Sequence, residues 1–344
     1  MRLAHLGCHS VLEFDELRLF TQLPGLEVFS PGAYLNPQGL GDRPPIPELN
    51  YKPEWLDAWS RVPSDPSQQP PLSDQKAHLT KEFLDHFDAV YIQHVPAWVT
   101  NNWKTLEEWG GEVFYRDIGQ CNFEQEQMLR YYVDRGLKII RYSPKNRMVP
   151  NYAGEHALIR FSKDPDDFLP WVGDRLQVIT IAQSMQDREP ACGYELFLNS
   201  TRPFQRVLFG NNNQSSGPLW GGQLTYQRLI EQLSWSRCYW YSGTYPAPYT
   251  LNGMEAMFAG TPIVAIGPKL ARFPHYEVAD LLEDWGLGDW VGESTHDLEN
   301  LCRLTLSMGD EEAKQRSDAL RKGARETFSY EAVLPQWKEL FRLC

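Results

Sequence analysis

The sequence predicts an α/β protein built from two Rossmann-like domains, and three observations carry that reading. The chain has 344 residues, more than one ordinary core absorbs and enough for two compact domains of roughly 160 residues each. Short apolar runs alternate with amphipathic stretches. The first is Arg2–Gly7, followed by a turn at Cys8-His9-Ser10 and a helical face of Val11, Leu12, Phe14, Leu17, Leu19 and Phe20. Near the other end, Tyr245–Gly267 (YPAPYTLNGMEAMFAGTPIVAIG) has the order loop, helix, turn, strand. There Met254, Ala256, Met257 and Ala259 keep the helix slim, Gly260 supplies a left-handed C-cap, and Pro262 stops the helix from continuing.

Composition narrows the function. A formal net charge of -12 argues against a generally basic nucleic-acid binder, although a local patch remains compatible with it. The six cysteines (Cys8, Cys121, Cys192, Cys238, Cys302 and Cys344) form no C-x-x-C pair and no metal-ligand spacing. This suits free thiols in a reducing cytosol, and no metal site is expected. Glu13, Asp15 and Glu16 interrupt the basic-then-apolar order of a signal peptide, and no apolar run approaches about 18 residues. The expectation is a cytoplasmic protein with no membrane span.

The first domain is expected over 1–161. Leu26–Ser30 is its second strand, and residues 31–73 form a proline-rich, irregular insertion holding Tyr34, Tyr51, Trp55 and Trp59. That insertion is either a surface excursion anchored by its tryptophans or an acceptor-binding lid. Asp88–His94 is a strand with a polar exit, where open α/β sheets bind ligands. Gly111–Arg116 is another, leaving through Asp117-Ile118-Gly119-Gln120, and a helix over Glu124–Asp134 precedes the strand Leu137–Tyr142. From Arg135 to Arg147 the chain carries five cations and no acid. The run is either a solvated face or a patch in which Arg141, Lys145 and Arg147 meet an acceptor or its phosphates. His156–Phe161 closes the domain, and Ser162–Pro170 is the linker. Its Asp164-Pro165-Asp166 is expected to be a solvated acidic turn.

The second domain is expected over 171–344. Leu176–Ala182 is a buried strand leading into the loop Gln183–Arg188, and Glu195–Asn199 is a helix. Arg206–Phe209 is a strand leaving through Gly210-Asn211, and Tyr226–Leu233 is a helix. The strand Cys238–Tyr241 delivers the central loop. Beyond it lie a strand at Pro262–Ile266, a helix at Tyr276–Asp284, and terminal helices carrying Leu301, Leu304, Leu320, Phe328 and Trp337. The helix inside the central unit begins with backbone N–H groups, those of Thr250, Leu251 and Asn252, that suit an anion. One turn further, the carboxylate of Glu255 suits the vicinal hydroxyls of a ribose.

NGMEAMFAGTPIVA resembles the EAMA-x-GTPVVA signature of retaining nucleotide-sugar glycosyltransferases of the GT-B fold, the glycogen-synthase-like group. The resemblance implies two Rossmann-like domains facing across a cleft that holds a nucleoside diphosphate sugar, expected to be UDP-linked. It places Glu255 on the ribose, Gly210 and Asn211 at the base, and Arg188 as the cation nearest the diphosphate. His94 falls near the reacting carbon, with His9 and Ser10 beside it. A hexosyl or pentosyl group would pass to an acceptor hydroxyl with retention, with the leaving phosphate helping to take the proton and no metal or other cofactor. One residue departs from the pattern: the family's sugar-binding Glu, eight positions before Glu255, is Ala247 here. Two alternatives stay open. Some phage enzymes of this fold act on hydroxymethylated pyrimidines in DNA, and the missing carboxylate could mark a non-catalytic nucleotide-binding or interaction protein.

Overall fold

The computed structural model describes residues 1–7, 9–35, 43–63, 78–119 and 122–343. Expectations for Cys8, Gln120, Cys121, Cys344 and parts of the insertion (36–42 and 64–73) fall outside these residues. The chain divides into two compact units: Met1–Ser162 with Val333–Cys344, and Lys163–Ala332. No helix among the described residues is long and apolar enough to cross a membrane.

The first unit is built on a parallel sheet in the order β2-β1-β3-β4-β5-β6. In chain order its elements begin with β1 (Arg2–Leu6), α1 (Ser10–Phe20), β2 (Glu27–Phe29), α2 (Pro53–Ser60), α3 (Lys81–Leu84) and β3 (Ala89–Gln93). They continue with α4 (Pro96–Trp109), β4 (Glu112–Arg116), α5 (Phe123–Val133), β5 (Lys138–Arg141) and β6 (Ala157–Leu158). All five positions of β3 are buried, as expected of a parallel strand covered on both faces. The insertion is less irregular than its prolines suggest. Pro53 opens α2, where its missing N–H costs nothing. Trp55, Ala58 and Trp59, at helical spacing, enter the core. The Trp55 and Trp59 rings lie 5.1 Å from Phe87 and Phe83, respectively. In its described part the insertion is thus anchored by tryptophans.

The second unit has a parallel sheet in the order β11-β10-β9-β7-β8. Its elements are β7 (Arg175–Ile181), α6 (Tyr194–Ser200), β8 (Arg206–Phe209), α7 (Tyr226–Trp235), β9 (Ser236–Tyr241), α8 (Leu251–Ala259), β10 (Ile263–Ile266) and α9 (Pro268–Ala271). Then come α10 (Val278–Asp284), β11 (Val291–Gly292), α11 (Thr295–Ser307) and α12 (Asp310–Phe328). Gly260 ends α8 with φ 78°. A Cβ there would sit 2.4 Å from Ser317 Oγ on α12, so glycine serves both the cap and the close approach of α12.

The final helix, α13 (Tyr330–Leu340), corrects the expected domain boundary. Trp337 and Phe341 lie 4.9 and 5.5 Å from Phe20, and Phe341 lies 5.7 Å from Phe114. From Val333 onward the chain therefore completes the first unit, not the second. Helical spacing identifies an apolar face but does not say which sheet it will cover.

In both units the strand order reverses direction beside the first strand, between β1 and β3 and between β7 and β9. Such a switch point opens a crevice at the carboxyl ends of the strands, where ligands of open α/β sheets bind. His9, Ser10 and His94 lie at the first of these places, and the start of α8 with Glu255 lies at the second.

Candidate active site

At the switch point of the second unit, the loop after β9 returns to start α8. The Tyr241 hydroxyl accepts the Thr250 N–H at 3.0 Å and lies 3.1 Å from Thr250 Oγ1. Burial raises the Tyr241 phenol to about 12, against the pull of both Thr250 hydrogen bonds, so it serves as a neutral cap. Gly253 permits this, because a Cβ there would come 2.6 Å from the Tyr241 ring. The N–H of Thr250 is thus already engaged, contrary to expectation. The carboxamide of Asn252 is committed too: its amide donates to the Ile181 carbonyl, and its Oδ1 accepts from the Thr250 hydroxyl and, at 2.9 Å, from the Gly253 N–H. These bonds tie α8 to the end of β7. The backbone N–H groups of Leu251 and Asn252 have no protein acceptor among the described residues, and they are the donors this helix end presents.

Glu255 lies in the second turn of α8, and its Oε1 is 2.8 Å from Lys163 Nζ. Both side chains are nearly solvent-free, with 0% of Lys163 and 5% of Glu255 exposed. Lys163 is held in turn by its own N–H, which donates to the Phe328 carbonyl at 3.0 Å. Sequence reasoning passed over this lysine. Its only signal is a cation standing between Phe161-Ser162 and the acidic 164–167.

On the other side of β7, Gly210 has φ 125°, and a Cβ there would lie 2.1 Å from the Ala182 carbonyl oxygen. The exits of β7 and β8 therefore approach more closely than any side chain allows. The buried Asn213 fixes both loops, donating to the carbonyls of Ala182 (2.7 Å) and Asn211 (3.2 Å) and accepting the Met185 N–H at 2.7 Å. This residue was also missed. Arg188 is exposed, its guanidinium 3.3 Å from the Gln183 carbonyl. Ala247 is buried, and its N–H donates to Thr244 at 2.7 Å.

At the switch point of the first unit, His9 caps α1. Its Nδ1 accepts the Leu12 N–H at 3.4 Å, and its own N–H donates to Gln93 Oε1 at 3.1 Å. Ser10 is the buried first residue of α1. His94 follows Gln93 with φ 66°, in the left-handed region. It is held by its N–H to the Arg116 carbonyl (2.9 Å) and by its own carbonyl, which accepts the Tyr115 hydroxyl at 2.8 Å. A non-glycine residue held this way is strained backbone, which clusters at functional sites. His9, Ser10 and His94 are thus brought to one sheet end. Beneath them Glu16 accepts from Gln93 (3.1 Å), Tyr91 (2.7 Å) and Arg116 (3.0 Å) and meets His5 at 3.4 Å. Burial opposes ionisation of Glu16. The Arg116 charge, with His5 and Tyr91, overcomes it and holds the carboxyl below the usual range.

The basic run does not form a common face. Arg141 is fully buried, with a bidentate pair to Glu126 (2.8 and 2.6 Å) and a contact to Asp117 at 3.2 Å, so it cannot reach a phosphate on the surface. Lys138 pairs with Glu112 at 2.6 Å, and Arg147 pairs with Glu155. Arg135 lies over the Tyr131 ring at 3.6 Å, and Lys145 is half-buried. The turn at Asp164-Pro165-Asp166 is closed by the Asp164 carboxylate accepting the Asp166 N–H at 3.0 Å. Among the described residues no group of three His, Cys, Asp or Glu side chains is placed to hold a metal ion.

No family model and no curated protein sequence matches the chain. Solved structures do. HepE of Anabaena, solved with UDP-glucose, aligns over 99% of both chains at 13% identity with a TM-score of 0.67. A glycosyltransferase from Rickettsia africae aligns over 99% of this chain and 97% of its own at 10% identity, with a TM-score of 0.64. TarM aligns over 76% of this chain and 55% of its own at 14% identity, with a TM-score of 0.55. At such identities the likeness is one of fold: two Rossmann-like domains, the GT-B arrangement of these glycosyltransferases.

Proposed function

We propose that the protein is a glycosyltransferase that moves a hexosyl or pentosyl group from a UDP-linked sugar to an acceptor hydroxyl, with retention and without a metal. The observation that carries this reading is α8. Within two turns at a topological switch point it presents the N–H groups of Leu251 and Asn252 and the Lys163-paired carboxylate of Glu255. Peptide dipoles directed at an anion suit a diphosphate, and a carboxylate one turn on suits a ribose diol. The UDP-glucose bound by HepE, a protein of the same fold, supports a uridine donor.

In this reading Gly210 and Asn211 lie at the base, Arg188 adds a cation to the diphosphate, and His94 and His9, with Ser10, act at the transferred sugar. The bond from the anomeric carbon to the diphosphate oxygen breaks as the acceptor oxygen bonds on the same face, and the acceptor proton passes to the departing phosphate. Positioning and charge stabilisation supply most of the catalysis. No observation favours DNA as acceptor, since Arg141 is buried and Lys138 and Arg147 are paired within the protein.

The test is thermal stabilisation by a panel of nucleotide sugars, followed by release of UDP and a mass shift in candidate acceptors. Stabilisation by a UDP-sugar with UDP release is expected. Binding without release under any acceptor would leave a nucleotide-binding protein, and no binding to any nucleotide would overturn the reading.

A further inference from the structure

We propose that Gln93 is a positioning residue that sets His9 and His94 relative to each other, an inference resting on the reading that these histidines act at the sugar. Its carboxamide is fully buried and bridges two elements. Oε1 accepts the His9 N–H from the β1–α1 turn at 3.1 Å, and Nε2 donates to Glu16 Oε2 of α1 at 3.1 Å. Its main chain leads directly into His94, whose left-handed conformation is pinned to β4 through the Arg116 carbonyl. One side chain therefore ties the turn carrying His9 and Ser10 to the strand exit carrying His94. Only a group that accepts on one side and donates on the other fits, because the neighbour on the second side is a carboxylate. Glu16 is itself fixed by Arg116 Nε on its other oxygen, so the bridge hangs from a buried ion pair. Such supporting bonds decide whether reacting groups stay within tolerance.

The experiment compares Gln93→Leu and Gln93→Glu with the unaltered protein, reading kcat for UDP release, UDP affinity and unfolding across pH. Gln93→Leu keeps the volume and loses both hydrogen bonds. It is expected to lower kcat at least about tenfold with UDP affinity changed by less than about twofold. In Gln93→Glu the introduced carboxyl shares a site with Glu16, faced also by His5 on β1, Tyr91 on β3, Arg116 on β4 and the His9 N–H. Two neighbouring carboxylates raise one pKa. While protonated, the new group donates to Glu16 and accepts from His9 as the carboxamide does; once ionised, it repels Glu16. Activity is therefore expected at acidic pH, to be lost as pH rises through that raised pKa, with a profile the unaltered protein lacks.

Wild-type kcat in Gln93→Leu, or a folded Gln93→Glu equally impaired at every pH, overturns the proposal. If Gln93→Leu fails to fold, Gln93→Glu decides alone. Failure of the underlying reading looks different: His94→Ala would then turn over normally whatever Gln93 does.

Discussion

Lys163 and Glu255, 92 positions apart in the chain, form a buried ion pair with 2.8 Å between Nζ and Oε1. The carboxylate proposed to clasp ribose therefore carries a structural duty as well, and removing it alone takes a carboxylate partner from a buried ammonium group. Breaking such a pair on one side costs about 3–5 kcal/mol, whereas replacing both partners by apolar groups is often neutral. The two duties can be separated on that basis.

Glu255→Ala is expected to destabilise the fold by about 3–5 kcal/mol and to weaken UDP binding by about 1–3 kcal/mol. The double variant Lys163→Met/Glu255→Leu should recover most of the stability and none of the affinity. Urea unfolding and calorimetric titration with UDP measure the two quantities. A double variant that binds UDP as tightly as the parent would remove Glu255 from the nucleotide site.

His94 needs a control for its backbone. Alanine tolerates φ near 66° poorly, whereas asparagine adopts it more readily. His94→Asn should keep the strand exit and lower kcat, while His94→Ala should lower both kcat and stability. UDP affinity should stay near that of the parent in both folded variants. Normal turnover in the folded fraction of His94→Asn would make this histidine a core residue.

For the basic run, stability separates the residues. Arg141→Ser leaves Glu126 and Asp117 buried without their cation and should cost about 3–5 kcal/mol. Arg147→Ser, which removes an exposed, solvent-screened arginine, should leave stability almost unchanged. DNA binding by the parent should show almost no salt dependence. A slope of log affinity on log salt near -3, flattened by Lys145→Ser with Arg147→Ser, would instead restore DNA as a candidate acceptor.

Glu16 sets a pH dependence of known sign. Its folded pKa lies below the ordinary value, chiefly because the Arg116 charge outweighs the cost of burial. Its stabilisation is therefore present above the unfolded pKa of about 4.3 and is lost as pH falls through the depressed folded value. Glu16→Gln should be less stable at neutral pH and show a flatter loss of stability on the acid side. An unchanged acid limb by chemical unfolding would refute this.

What the sequence disclosed follows from what local patterns encode. The strands around Val178 and Val264 and the cap at Gly260 depend on neighbours within a few positions, and they lie where expected. The backbone settings of Glu255 and Gly210, a helix after a loop and a strand exit, were legible because they are local too. Lys163 and Gln93 were not, since each acquires its role from a partner far along the chain. Arg141 misled for a different reason. In β5 a covered parallel strand buries Ile139, Ile140 and Arg141 alike, so period-two alternation offers no outward face. A run of cations then says nothing about which of them pairs inside.

The return of residues 333–344 to the first unit also fixes an order of events during synthesis. Phe20 waits for Trp337 and Phe341, which leave the ribosome only after all of the second unit. The unit begun first is thus completed after the second, and its sheet, whole in strands but lacking α13, must be kept from aggregating while some 170 residues are translated, a matter of tens of seconds at the slower end of ordinary elongation rates. A chain stopped at Ala332 should accordingly hold a protease-resistant core over 163–332 and a protease-sensitive segment over 1–162. Equal resistance of both would show that the first sheet closes without its last helix.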